Sequence, residues 1–416
     1  METENSFKLT PLEKYWILYD VGNSAFIMLV TTIIPIYFNS LAQNAGISST
    51  NYLSYWGYSA SICTLIVAFL GPVLGSLADI KNYKKPVFAV CLIVGALGCA
   101  ALSVPKTWIT FLTIFIIAKV GYSASLIFYD SMLTDVTTPK RMDIVSTQGY
   151  AWGYIGSCIP FMISLLLVLF SDSIGIPMVL AMTITFFINA VWWLASAIPL
   201  LKHYKQLHYL DTPKHLLKDA LHNLINTFKD IRKNKNVFFF LLSFFFYIDG
   251  VYTIMEMATA YGESLGLDST GLLLALLVTQ LVAFPCALFF ARVSKKYKTS
   301  ELIKICIFAY AGIAAFAIQL DKQWEFWLLA VLVGMFQGGI QALSRSYFAK
   351  IIPPKKAGEY FGIYDIFGKG ASFMGTTCIA VIAQITGSAN AGISILTVIF
   401  MIGLFLFYKA SKLNKY

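Results

Sequence analysis

Twelve apolar runs succeed one another along the chain, near 12–40, 53–78, 86–104, 107–136, 144–170, 176–200, 237–261, 271–291, 301–320, 324–351, 359–386 and 390–409. An apolar run of about 20 residues is long enough to cross a bilayer as a helix. Twelve of them predict an all-α, multi-pass membrane protein. Composition agrees, because hydrophobic residues make up 58% of the chain and charged residues 12%, against about 25% charged in a soluble domain. Most connections are only a few residues long, so neighbouring helices should run antiparallel.

The net charge of +10 is not placed as a nucleic-acid surface would be. With the N-terminus inside, 26 of the 31 Lys and Arg residues fall in the termini and the loops of that side, and only Lys106 and Lys322 in the outer loops. This asymmetry follows the positive-inside rule and puts both termini in the cytoplasm. Short loops and a compact chain point to a bacterial inner membrane, and no removable signal peptide is expected. The one long inner segment, 201–236, divides six runs (1–200) from six (237–416). Within it, Thr212 can cap and Pro213 can begin an amphipathic helix whose apolar stripe is Leu217, Leu221, Leu224 and Phe228. All four histidines lie in this segment, which excludes a histidine proton relay inside the membrane. The seven cysteines form no CxxC pair and read as packing residues, so no metal and no cofactor is expected.

Charges inside the apolar runs narrow the reading further, because such residues should face a protein interior or a water-filled cavity. Lys119 and Asp130 return to one face of the fourth run after about three turns. Asp249, Tyr252, Thr253 and Glu256 fall at i, i+3, i+4 and i+7 in the seventh. Gln337, Gln341 and Arg345 follow in steps of four in the tenth, and Asp365 and Lys369 make an i,i+4 pair in the eleventh. Asp20, Asn23 and Ser24 form a polar edge on the first. Five deep acids against three bases leave two acids uncompensated. These either carry a coupling proton or meet a cationic group of a substrate, and Asp249 and Glu256 are the favoured proton carriers.

The two halves also repeat. A shift of 215 residues lays Tyr129–Arg141 on Ser344–Lys356, matching Ser131 with Ser346 and Pro139 with Pro354. Two matched positions change sign: Asp130 meets Arg345, and Asp135 meets Lys350. A shift of 229 lays Asp20 on Asp249 and Ser24 on Thr253. The pairs Gly71/Gly75 and Gly149/Gly153 read as small residues that allow close helix packing.

The segment GPVLGSLADIKNYKKP (71–86) resembles the loop signature of the major facilitator superfamily, through Gly75, Asp79, Lys84 and Lys85. It departs from the pattern at Ile80, where a basic residue is usual, and near Asn82, where a glycine is usual. Four further stretches are similar to the vacuole-effluxer-like branch, named after a vacuolar amino-acid effluxer. They are YDVGNSAF (19–26), FYDSMLTDV (128–136) with GYAWGYIGS (149–157), YIDGVYTI (247–254), and GGIQALSRSYFAKIIP (338–353) with EYFGIYDIFGKG (359–370). The resemblance implies two pseudo-symmetric six-helix bundles, a central site and alternating access. It also implies that the inner ends of spans 4, 5, 10 and 11 meet when the protein opens outward. Asp130–Arg345, with Asp135–Lys350, would then close a cytoplasmic gate. The competing arrangement pairs each charge within its own half, Arg345 with Asp365 for instance.

These readings converge on a monomeric secondary transporter of a small polar solute, amino-acid-like and moved outward, with protons as coupling partner. No GxxxxGK[ST] loop is present, so ATP is not the expected energy source. Charges of both signs suit a zwitterion: Asp249 and Glu256 for its amino group, Lys119 or Arg345 for its carboxylate. A lipid or amphiphile exporter is the transport alternative. A membrane-embedded enzyme and a non-transporting sensor are alternatives of other classes.

Overall fold

A computed structural model describes residues 8–47, 49–105, 107–211, 226–264 and 267–413. The first half contains α1 (Pro11–Thr31), α2 (Ile33–Asn44), α3 (Ser49–Asp79), α4 (Lys84–Ala101), α5 (Trp108–Val136), α6 (Met142–Leu169) and α7 (Met178–His203). A short α8 covers 226–233. The second half contains α9 (Lys235–Ser264), α10 (Ser269–Val293), α11 (Thr299–Ala317), α12 (Gln323–Ile351), α13 (Ala357–Thr386) and α14 (Ala389–Leu413). Among the described residues, eleven segments are long and apolar enough to cross a membrane, with α1 and α2 together forming the first. The remaining long helix, α13, carries Glu359, Asp365 and Lys369 in its first part. The chain is an integral, multi-pass membrane protein.

The first apolar run is not one unbroken helix. Thr32 leaves helical geometry at φ −128° and ψ −76°. Pro35 explains the break, because its ring clashes with the carbonyl four residues back, that of Thr31. The start of α1 is fixed by a capping box, in which Thr10 Oγ1 accepts the Glu13 N–H and Glu13 accepts the Thr10 N–H.

The repeat is visible in the element bounds. α5 and α12 both span 29 residues, and their starts and ends are 215 apart. The same offset separates the starts of α4 and α11, and of α6 and α13. Packing follows the repeat. α1 lies on α6 and α7 as α9 lies on α13 and α14, and α4 lies on α5 and α7 as α11 lies on α12 and α14. The halves meet through α3 on α13 and α6 on α10, two contacts that the pseudo-two-fold exchanges. The result is two pseudo-symmetric six-helix bundles.

The α3–α13 contact is very close. A Cβ on Gly75 would lie 2.3 Å from the Gly358 carbonyl oxygen, and one on Gly362 would lie 2.6 Å from that of Gly71. Two small-xxx-small stripes, Gly71/Gly75 and Gly358/Gly362, therefore let backbone meet backbone. Gly149 and Gly153 have another neighbour, the polar edge of α1. Their Cβ atoms would sit 2.7 Å from Asp20 Oδ2 and 2.8 Å from Ser24 Oγ.

The expected amphipathic helix begins outside the described residues, which omit Thr212–Ile225. Within α8, Phe228 is exposed and Thr227 is buried. The first arm of the linker runs back over the α3–α4 turn, where Leu210 donates its N–H to the Asp79 carbonyl at 2.7 Å and accepts that of Lys81 at 3.1 Å. This contact occupies the backbone around Ile80. Asn82 has φ +64°, a left-handed conformation that asparagine tolerates better than most side chains. That accounts for an asparagine near the signature's usual glycine.

Candidate functional site

Chain alternation puts the start of α1 and the end of α14 on one face of the bundle, with the ends of α3, α5, α10 and α12 and the starts of α4, α6, α11 and α13. Polar side chains converge beneath this termini face. At their centre Arg345, near the end of α12, is 2% exposed. Its Nη1 lies 3.1 Å from Asp130 Oδ1 on α5, and its Nη2 lies 3.3 Å from Asp20 Oδ2 on α1. Nε donates to Ser146 Oγ at 2.9 Å, and Nη2 donates to the Ser146 carbonyl at 3.1 Å, both on α6. The guanidinium also lies over the rings of Trp16 at 4.6 Å, Tyr150 at 4.4 Å and Tyr129 at 5.5 Å, contacts that favour a desolvated cation. Each of these partners belongs to the opposite half. The own-half alternative, Arg345 with Asp365, is not the arrangement formed. Asn23 supports the cluster by donating to Asp20 Oδ1 at 3.3 Å. Trp16 is held by its indole N–H, which donates to the Tyr129 carbonyl at 3.0 Å.

Asp135 and Lys350 do not pair with each other. The repeat explains why. Lys84, at the start of α4, lies 3.4 Å from Asp135, while Lys350 donates to Thr299, at the equivalent start of α11, at 2.9 Å. Asp135 is thus held within its own half, and Lys350 has one of its partners there. Asp135 also accepts the Tyr204 hydroxyl, the backbone N–H groups of Leu207 and His208 at 3.3 and 2.9 Å, and lies 2.8 Å from His208 Nδ1. Asp135 and Lys350 line a shared cavity of about 790 Å³ at this corner.

Lys350 crosses to a residue that pattern reading missed. Asp143, in the first turn of α6, lies 2.5 Å from Lys350 Nζ. It also accepts the hydroxyls of Thr299 at 2.7 Å and Ser346 at 2.6 Å. Glu359, in the first turn of α13, is the second missed acid. It is fully buried and accepts Ser76 Oγ at 2.9 Å and the Thr227 hydroxyl. Both follow basic loop residues and so read as surface acids. Asp79 of the loop signature accepts the Gly358 and Glu359 N–H groups at 2.7 and 2.9 Å, which caps the start of α13. Lys84 serves Asp135, and Lys85 is half-buried. A further tie holds α1 to the α5–α6 corner: Glu13 lies 2.7 Å from Arg141 and accepts Thr137 Oγ1 at 2.6 Å. The hydrogen bond to Glu13 raises the Arg141 guanidinium above its ordinary range.

Deeper in the bundle the bonding is sparse. Asp249 on α9 is fully buried. Its Oδ1 accepts the Gly375 N–H of α13 at 2.8 Å and the Thr253 hydroxyl at 3.5 Å, while among the described residues its Oδ2 has no hydrogen-bond partner. Glu256, two turns on, has an exposed side chain and feels the charge of Lys119 on α5. Lys119 Nζ lies 5.7 Å from the Phe115 ring centre. Gln341 is 7% exposed and its Nε2 lies 3.6 Å from Met255 Sδ. Asp365 is half-buried, and the side chain of Lys369 lies outside the described residues.

A family described as "Vacuole effluxer Atg22 like" matches residues 13–141 and 134–414. An MFS-type transporter, YxiO, of Bacillus subtilis is 41% identical over 402 residues, covering 95% of this chain and 94% of that protein. Autophagy-related protein 22-1 of Aspergillus clavatus is 24% identical over 301 residues, covering 65% of this chain and 49% of the fungal protein. Among solved structures, the major facilitator superfamily transporter FucP in the outward conformation superposes with a TM-score of 0.72 at 12% identity, covering 98% of each chain.

Proposed function

The chain belongs to the vacuole effluxer Atg22-like family of major facilitator transporters, and on that premise we propose that it exports a small amino-acid-like solute by proton-coupled alternating access. The observation that carries the gate is Arg345, whose hydrogen bonds all reach into the other half. Separation of the halves at the termini face must expose this cation and leave Asp20 and Asp130 without it. The cluster therefore serves as a cytoplasmic seal, with Asp143–Lys350 and Asp79–α13 as its flanks. The excess of basic residues on this face supports cytoplasmic termini, in a bacterial inner membrane.

Arg345 is already engaged by two carboxylates, so of the two cations considered for a substrate carboxylate we assign Lys119, with Glu256 for the amino group. They come from opposite halves and are close enough to interact electrostatically, so a zwitterion spanning them would draw the halves together. Asp249 suits proton coupling. A buried carboxylate with one oxygen unsatisfied is costly when ionised, and a proton removes that charge.

Flux of radiolabelled amino acids in proteoliposomes, with and without an imposed pH gradient, tests the proposal. Gradient-driven movement of at least one zwitterionic amino acid is expected. A folded, reconstituted protein that moves none of them refutes the substrate class, and flux indifferent to the gradient refutes proton coupling.

A further inference from the structure

A separate feature lies on the outer surface of the second half, away from the gate. α11 and α14 pack together. Along α14, Val398, Met401, Ile402, Phe405 and Tyr408 are exposed and recur at i, i+3, i+4, i+7 and i+10, so they form one stripe. Along α11, Ile305 and Phe308 are exposed beside it. Both stripes end in lysines at the termini face. Lys304 and Lys412 lie 5.2 and 4.5 Å from the Tyr408 ring centre, and Lys409 lies 4.5 Å from that of Phe405 and 6.0 Å from that of Phe239 on α9. Lys304 has Glu301 at 2.9 Å, whereas among the described residues Lys409 and Lys412 have no acidic partner within salt-bridge distance.

We propose that this groove binds one anionic phospholipid, with its phosphate on Lys304, Lys409 and Lys412 and its acyl chains along the exposed stripes of α11 and α14. Two features select that occupant. Three lysines of α11 and α14, two of them without an acidic partner among the described residues, border the Phe405 and Tyr408 rings at the level where helices leave the bilayer, which matches a headgroup carrying net negative charge. The apolar stripes continue directly beneath them, which matches chains attached to that headgroup and not a free anion. The site has a route to the gate, because Lys304 lies little more than one helical turn beyond Thr299, whose hydroxyl contacts both Lys350 and Asp143. A bound lipid braces the corner of α11 that carries this bridge. The proposal does not depend on the identity of the transported solute.

Native mass spectrometry of the full chain in mild detergent, titrated with phosphatidylglycerol and phosphatidylcholine, tests it. The wild type is expected to prefer phosphatidylglycerol. K409Q and K412Q alter exposed side chains, and each should lower that preference by about fivefold, the contribution of one lysine near an anionic headgroup. K304Q/K409Q/K412Q should abolish it. K295Q/K296Q/K298Q, which removes equal charge from the neighbouring loop, should leave it intact. Equal melting temperatures in phosphatidylcholine nanodiscs establish that the variants are folded. Absence of preference in the wild type, equal loss in both triple variants, or displacement of phosphatidylglycerol by millimolar inorganic phosphate would each overturn the proposal.

Discussion

Asp130 and Asp249 both lie on helices beside the space between the halves, yet they are bonded in opposite ways. Asp130 has Arg345 at 3.1 Å, and the guanidinium is shared with Asp20, Ser146 and three aromatic rings. Among the described residues, Asp249 has one backbone N–H, one distant threonine hydroxyl and an oxygen without a partner. A saturated buried ion pair resists change, because removing either member strands a charge. An unsaturated carboxyl gains from a change of state, because a proton relieves it. The first arrangement suits a lock and the second a trigger. On this view the lock must yield when the trigger and the substrate are loaded.

Arg345→Ala attacks the lock most directly. It should destabilise this conformation by about 3–5 kcal/mol, the cost of breaking a buried pair, and abolish transport, as read by thermal unfolding and flux. Reversing both charges, D130R with R345D, should recover part of the flux lost in either single reversal. A double variant as inactive as the singles would remove the direct pair from the mechanism. Asp143→Ala removes three hydrogen bonds but leaves Lys350 its Thr299 contact. A loss of about 2 kcal/mol is expected, with increased labelling of cysteines introduced at the termini face. Asp249→Asn should behave differently, since an amide oxygen can still accept the Gly375 N–H. Unfolding should move by less than about 1 kcal/mol, while gradient-driven flux falls and solute exchange without a gradient persists. Unchanged gradient-driven flux would take Asp249 out of the coupling. The smallest effect belongs to a pair that never forms. A double-mutant cycle between Asp135 and Lys350 should give a coupling energy within about 0.5 kcal/mol of zero.

That last pair shows how far residue patterns carry. The 215-residue register made the approach of Asp130 to Arg345 legible, because residues at equivalent positions near the pseudo-two-fold axis meet each other. The same register misled for Asp135 and Lys350. They lie farther along their helices, where Asp135 meets Lys84 at the start of the adjacent helix in its own half, while Lys350 meets Thr299 at the equivalent start and crosses to Asp143 instead. Spans and fold class were readable because lipid imposes length and polarity on every helix. The break at Thr32 was readable in principle from Pro35. Asp143 and Glu359 were hidden for another reason: an acid in the first turn of a helix looks the same in sequence whether it faces water or another bundle.

The crossing of α3 and α13 has a mechanical consequence. Glycine carbonyls and glycine Cα atoms touch there with no side chain between them. Side chains act as springs, because they can rotate and yield, whereas two backbones in contact form a hard bearing. Rocking of the halves about this point must occur as rotation or sliding without compression. A single methyl at Gly75 or Gly358 would act as a shim, spreading the helices and tilting the whole termini face, even though it removes no charge and no hydrogen bond.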